Sequence, residues 1–297
     1  MQFENQTPPA AESHGRRAPV RLKFWGVRGS IPTPGAGTVK FGGNTTCIEL
    51  RADGEHVVLD AGSGARELGL SLAREFRDKP IALTMLLTHT HWDHIQGFPF
   101  FVPVYQPKNH VRILGYEGAH HRLHETLEGQ MESPYFSVAL KELPGAIHIE
   151  ELKGFTFKIG TLNVRSTATK HPGHTVAYRV ETSAGSICFV PDHETSPGEK
   201  HQGVFDLIRG ADVLIMDSQY TPEEYVQKVG WGHGCYEEVV RLACEAGVKR
   251  LYLFHHDPMH DDAFIENMVA RAREIAHPHD IEVDAAREGE QVVLVAK

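Results

Sequence analysis

Thr88-His89-Thr90-His91-Trp92-Asp93-His94 decides how the rest of the chain is read. Three imidazoles and a carboxylate fall within six positions, directly after the apolar run 81–87. A loop at the mouth of a strand frees side chains from strict alternation, so all four can point at one centre. Neutral imidazole and ionised carboxylate are good ligands for zinc, and less selectively for iron or manganese. As a solvated turn the same residues would repel one another on protonation and gain nothing structural. One tetrahedral ion cannot use all of them and stay open to substrate, so further ligands are expected after later strands. His171 follows 163–170, Asp192 follows 187–191 and His255 follows 251–254, each at the end of an apolar run.

Outward from that string, the first half alternates with a period of two over 20–27, 46–51, 55–60 and 81–87, each run ended by Gly, Pro or Asp. These read as strands. Leu68, Leu72 and Phe76 lie at helical spacing within 65–76. The runs 155–164, 175–181 and 186–190 read as consecutive hairpins around Ser183-Ala184-Gly185. Strand and helix then alternate: strand 213–216, helices 222–229 and 236–246, strand 251–254, helix 263–276, and closing strands 281–285 and 291–295. This pattern predicts an α/β fold, two mixed sheets face to face with helices outside, as one domain over 20–297. The stretch 115–145 is the least regular, with a helix expected at 120–128, and reads equally as a lid or as an ordinary surface excursion.

Composition narrows the function. The chain has 297 residues, 41% hydrophobic and 23% charged, enough for a large core. No apolar stretch approaches the roughly 20 residues needed to cross a bilayer. Residues 1–19 are polar and lack an apolar signal region, so they read as a flexible N-terminal arm and the cytoplasm as the address. A formal charge of −9 without a Lys/Arg cluster disfavours a general nucleic-acid binder. Cys47, Cys188, Cys235 and Cys244 are scattered, which suits free thiols. Twenty histidines are an unusual number for this length. Gly62-Ser63-Gly64 and Gly35-Ala36-Gly37 lack the flanking residues of nucleotide-binding loops.

The His-x-His-x-Asp-His string, with a later His, an Asp after a hairpin strand and a His after a late strand, resembles the metallo-β-lactamase fold superfamily of binuclear metallohydrolases. The resemblance runs from Phe24 to the C-terminus and implies a four-layer αβ/βα sandwich. Phe24-Trp25-Gly26-Val27-Arg28-Gly29-Ser30, Gly42-Gly43-Asn44-Thr45 and Asp60-Ala61-Gly62-Ser63-Gly64 resemble its phosphodiesterase branch, which includes tRNase Z, a cyclic phosphodiesterase of phosphonate breakdown and cyclic-nucleotide phosphodiesterases.

Position by position, the resemblance implies two divalent ions, zinc first and manganese or iron as alternatives. One would sit on His89, His91 and His171, the other on Asp93, His94 and His255, with Asp192 bridging. His171 is preferred to His174 by its seven-residue distance from Tyr178, and His255 to His256 as the first residue past its strand. Gly230-Trp231-Gly232-His233-Gly234 resembles the His-Ser-Thr loop of tRNase Z, and Asp217 stands where that family has an acidic partner for its histidine. His233 is thus the expected general acid, oriented by Asp217, with Asp93 serving both as ligand and in catalysis. Arg28, Asn44, His174 and His256 are candidate substrate contacts, and Tyr105, Tyr135 and Phe136 candidate stacking residues.

The implied reaction is in-line attack on phosphorus by a hydroxide held between two ions. tRNase Z inserts its tRNA-gripping arm between the third-motif histidine and the bridging aspartate, where this chain has one compact hairpin. A small phosphodiester, a 3′,5′-cyclic nucleotide above all, is therefore the expected substrate, without membrane or extended nucleic acid, and with a homodimer possible in related folds. A tRNase Z-like nuclease, a thioesterase, a lactamase, or a metal-stabilised binding or sensor protein stand as alternatives. A flavo-diiron oxidoreductase would need a flavin domain that the chain lacks.

Overall fold

The computed structural model describes residues 19–116 and 122–295. All but the last residue of the expected N-terminal arm, and the start of the helix expected at 120–128, lie outside the described residues. Among the described residues, fourteen strands build two seven-stranded sheets. The first contains β1 (Val20–Gly26), β2 (Cys47–Ala52), β3 (Glu55–Leu59), β4 (Ala82–Leu86), β5 (His110–Gly115) and β6 (Ala146–Glu151). The second contains β7 (Thr156–Ile159), β8 (Leu162–Ala168), β9 (Val176–Thr182), β10 (Gly185–Val190), β11 (Val213–Asp217), β12 (Arg250–Phe254) and β13 (Glu282–Ala285). The last strand, β14 (Gln291–Leu294), crosses back and pairs antiparallel with β1.

Both sheets follow one plan, in which an antiparallel meander gives way to parallel strands. Pairing is antiparallel through β1, β2 and β3 and parallel from β3 to β6. It is antiparallel from β7 to β10 and parallel from β10 to β13. Parallel strands need crossovers, and helices supply several of them. They are α1 (Gly64–Phe76), α2 (Trp92–Ile95), α3 (Leu123–Gly129), α4 (Gln202–Ile208), α5 (Pro222–Tyr225), α6 (Tyr236–Glu245) and α7 (Asp262–Ala276).

Side-chain alternation explains the layering. Along β11 and β12, Val213, Ile215, Tyr252 and Phe254 face the other sheet, whereas Leu214, Met216, Leu251 and Leu253 face α4, α6 and α7. Across the gap, Val20, Leu22 and Phe24 of β1 are fully buried in the same inter-sheet core. Phe24 meets Tyr252 and Phe254 there at ring separations of 5.2 and 6.4 Å. On the far face of the first sheet, Val58, Leu83 and Met85 pack under α1 and α3. Four layers result, as the sequence predicts. No helix among the described residues is long and apolar enough to cross a membrane.

Three expectations change. The run 155–164 is two strands, because Gly160 turns the chain with φ at +51°. The helix expected over 222–229 stops at Tyr225, and Val226 and Val229 are left exposed. The strands β5 and β6 were not legible in the mixed polar sequence around them. From the stretch 115–145, Leu123, Leu127, Met131, Leu140 and Leu143 are buried in the outer core of the first sheet. All four cysteines are free thiols.

Glu49 is a buried charge on β2. It accepts hydrogen bonds from the Trp25 indole at 3.0 Å and Arg51 Nε at 2.7 Å, and its Oε1 lies 2.9 Å from His56 Nε2. Burial opposes its ionisation, but His56 and Arg51 outweigh it and hold the carboxyl at about 2. Because the folded state binds that proton less readily than the unfolded chain, its stabilisation is complete above about pH 4.5 and is lost as pH falls toward about 2. Glu49→Gln is expected to flatten the acid limb of stability between those values, by on the order of 3 kcal/mol. Urea unfolding at stepped pH checks this; parallel limbs for the two proteins would contradict it.

Candidate metal centre

The carboxyl ends of parallel strands from both sheets meet at one edge of the sandwich, the usual place for a site in α/β sheets. From the first sheet come Asp60, after β3, and the 88–94 loop, after β4. From the second come Asp192 after β10, Asp217 at the end of β11 and His255 after β12. The two edges are tied together by Tyr178 Oη, which donates to Leu87 O at 2.6 Å, and by Val176 N, which donates to Thr88 O at 3.2 Å. Asp60 and His255 take left-handed backbone, φ +58° and +61°, which non-glycine residues adopt at a cost. In each case the strand ends sharply and its next side chain turns toward the gap.

Asp192 lies at the centre. Its Oδ2 is 3.7 Å from His89 Nε2 and 3.6 Å from His171 Nε2, while its Oδ1 is 3.1 Å from His94 Nε2 and 3.4 Å from His255 Nε2. His171 Nε2 is 3.1 Å from His91 Nδ1. Asp93 Oδ2 is 3.3 Å from His94 Nε2 and 3.2 Å from His255 Nε2. Two ligand groups are thereby assembled, His89, His91, His171 and Asp192 on one side and Asp93, His94 and His255 on the other. His233 also comes within ligand reach of Asp192 and His255.

The donor set fits divalent cations. His89 Nε2, His94 Nε2 and Asp192 Oδ1 are buried and have no hydrogen-bond partner, although His94 and Asp192 are close enough for one. Buried polar atoms are rarely left so, and all three lie among the clustered ligand-type side chains. The opposite ring nitrogens are committed. His94 Nδ1 lies 2.8 Å from Asp60 Oδ2, His171 Nδ1 2.8 Å from Gly232 O, and His255 Nδ1 3.0 Å from Gln219 Oε1. Partners of this kind fix the tautomer that leaves Nε2 free.

The groups differ electrostatically. Burial and mutual repulsion depress His89, and burial depresses His91 and His171, so those imidazoles are neutral ligands at pH 7. Burial also disfavours charge on His94 and His255, but Asp192 and Asp93 outweigh it, and His255 is raised to about 9. In return, burial of Asp93 and Asp192 is overcome by those imidazoles, and both carboxyls fall well below the usual range.

His233 and Asp217 stand beside this centre. His233 Nδ1 is 2.9 Å from Asp217 Oδ2, and its ring stacks on His255 at 4.8 Å and meets His171 edge-on at 5.0 Å. Two glycines make the close approach possible. A Cβ on Gly29 would fall 2.3 Å from the His255 ring, and one on Gly232, whose φ is +86°, would fall 2.4 Å from His171 Nδ1.

A family model for the beta-lactamase superfamily domain matches residues 55–256, which include every one of these side chains. The chain belongs to that superfamily. Ribonuclease Z of Metallosphaera sedula is 26% identical over 262 residues, covering 76% of this chain and 86% of its own length. Among solved structures, the metallo-beta-lactamase fold protein YhfI from Bacillus subtilis is similar with a TM-score of 0.70 at 18% identity, over 93% of this chain and 99% of that one. A diphosphatase from the PhnP family is similar with a TM-score of 0.67 at 16% identity, over 94% and 100%. Like the superfamily's other hydrolases, this member is a metal-dependent enzyme.

Not every residue singled out in the sequence joins the centre. Arg28 is fully buried and donates to the carbonyls of Gly42, Asp257 and His260, so it braces loops. Asn44 is spent on Glu288 and Ser63. His256 packs edge-on to Phe41 with Nε2 3.0 Å from Ala286 O, and burial lowers it to about 3. His174 is exposed beside His171. Tyr105 donates to Pro99 O and Phe136 packs on Phe100, both against the outer core, whereas Tyr135 is exposed.

Asp60, which in sequence is only the first residue of a glycine motif, anchors the superfamily loop. It accepts from Thr88 N and Thr88 Oγ1, each at 2.7 Å, as well as facing His94. Asp60→Ala strands three buried donors, and the unfolding free energy of the metal-free protein is expected to fall by about 3–5 kcal/mol. Denaturant titration checks it; a loss under ~1 kcal/mol would contradict the anchoring role.

Proposed function

We propose that this superfamily member hydrolyses a small phosphodiester, a 3′,5′-cyclic nucleotide being the foremost candidate, with His233 as general acid. His89, His91 and His171 with Asp192 would hold one divalent ion, zinc first, and Asp93, His94 and His255 with Asp192 a second. Bound there, such a pair supplies Lewis-acid activation of water and neutralises charge at phosphorus.

The observation that carries the reading is the His233–Asp217 pair. Asp217 is fully buried and lies 2.9 Å from His233 Nδ1, which turns that nitrogen of the ring toward the carboxylate. A carboxylate in that position orients the ring, and a proton on Nε2 would be donated to a departing oxygen. Thioester hydrolysis does not need this second acid beside the ligand groups, because a thiolate departs without a proton. Esters with alkoxide leaving groups do, because an unprotonated alkoxide departs poorly.

Substrate size follows from the chain between His171 and Asp192. The two residues are separated by β9 and β10, with Ser183 and Ala184 between them, plus residues 172–175 and Pro191. The negative net charge also suits a small ester better than a long polyanion. Relatives named ribonuclease Z favour a second reading, an RNA phosphodiester. A panel of cyclic AMP, bis(4-nitrophenyl) phosphate, a precursor tRNA, nitrocefin and a glutathione thioester separates the readings. Turnover of the first two is expected, with little on the rest. Efficient cleavage of the precursor alone would transfer the reading to the nuclease, and nitrocefin or thioester turnover alone would overturn it.

A second expectation concerns the acid. His233→Ala should keep its metal and lose about 10²–10⁴-fold in turnover of cyclic AMP. Nitrophenyl ester turnover should fall far less, since nitrophenolate leaves without a proton. Steady-state rates at matched metal content check this, and equal losses on both esters would remove His233 as acid.

A further inference from the structure

Asp192, His193 and Glu194 are consecutive, and each grips a different part of the centre. Asp192 meets the imidazoles, and His193 N donates to Asp217 Oδ2 at 3.3 Å. Glu194 is buried, only 4% exposed, and reaches into the loop that carries His233. Its Oε1 accepts from Tyr225 Oη at 2.7 Å and from Gly230 N at 3.0 Å, and its Oε2 accepts from Gly232 N at 3.1 Å. From the other side, Glu194 N donates to Lys170 O at 2.8 Å, next to His171.

Glu194 accepts from both Gly230 N and Gly232 N, whereas the other main-chain ties lie at Trp231, whose N donates to Lys228 O, and beyond the loop, where Gly234 O accepts from Tyr220 N and Cys235 N donates to Thr195 O. Gly230 and Gly232 take φ values of +85° and +86°, backbone free to move in other ways. Yet two elements of the centre depend on where this loop lies: the Gly232 carbonyl, 2.8 Å from His171 Nδ1, and His233 itself. A carboxylate is well suited to the task because it only accepts, so both loop amides and the tyrosine hydroxyl can donate to it at once.

We propose that Glu194 is the positioning residue of this centre, pinning the Gly230–His233 loop so that one loop both orients His171 as a ligand and presents His233 as acid. For the acid, the inference rests on the function proposed above. For His171, it stands on the hydrogen bonds alone. Glu194→Gln keeps the shape but turns an NH2 toward Gly230 N or Gly232 N, so every orientation of the amide loses at least one loop contact. Tyr225→Phe removes only the hydroxyl and leaves both amides held.

The experiment compares wild type, Glu194→Gln, Tyr225→Phe and His233→Ala in two measurements. Zinc affinity by chelator competition is expected to fall roughly ten-fold or more in Glu194→Gln and to stay near wild type in Tyr225→Phe. At saturating zinc, Glu194→Gln should lose at least about ten-fold more turnover on an alkyl phosphodiester than on the nitrophenyl ester, sharing the pattern of His233→Ala. Wild-type zinc affinity in Glu194→Gln would overturn the inference. So would an equal loss on both esters in Glu194→Gln while His233→Ala discriminates between them. Absence of discrimination in His233→Ala would instead strike the assignment of the acid, and the zinc measurement would still decide the role of Glu194.

Discussion

A single carboxylate, that of Asp192, stands buried between two sets of imidazoles. Burying it alone would be prohibitive, and burying four imidazole nitrogens around it without compensation would be little better. In the metal-free chain, Asp192 and Asp93 raise the proton affinity of His94 and His255 against the cost of burial. Cations among these side chains would offset both carboxylates, and would satisfy the ring nitrogens that have no partner. The left-handed backbone at Asp60 and His255, the missing side chains at Gly29 and Gly232, and the buried anchors behind each imidazole all serve to keep these atoms in register.

The two-sheet plan makes this possible. Each sheet turns from an antiparallel meander to parallel strands, and the carboxyl ends of the parallel parts face one another. The inter-sheet core built on Phe24, Phe189 and Phe254 fixes the spacing between the sheets, and the Tyr178 hydroxyl locks the edge where the loops emerge. Ligands more than 160 positions apart, such as Asp93 and His255, are brought to 3.2 Å by this arrangement.

Much of the site was legible because ligand chemistry concentrates unusual residues. Three histidines and an aspartate after one strand have few other uses, and His171, Asp192 and His255 each announce themselves as ligand types where an apolar run stops. Most strands show in their alternation, β5 and β6 excepted. What escaped was whatever depends on tertiary partners. Nothing about Arg28 in sequence tells that its guanidinium turns inward to three carbonyls, and His256 looks no different from His255 until the strand end directs one to the gap and the other to Phe41. Asp60 and Glu194 sit among ordinary turn residues, and their roles come from donors 28 to 38 positions away. The helix anticipated to run on past Tyr225 fails because Val226 and Val229 have no layer to pack against.

The most direct test is a crystal structure of the zinc-loaded protein with anomalous scattering collected at the zinc edge. Two peaks are predicted, one ringed by His89, His91 and His171 and the other by Asp93, His94 and His255, with Asp192 touching both. A lone peak, or zinc held anywhere else, would contradict the account.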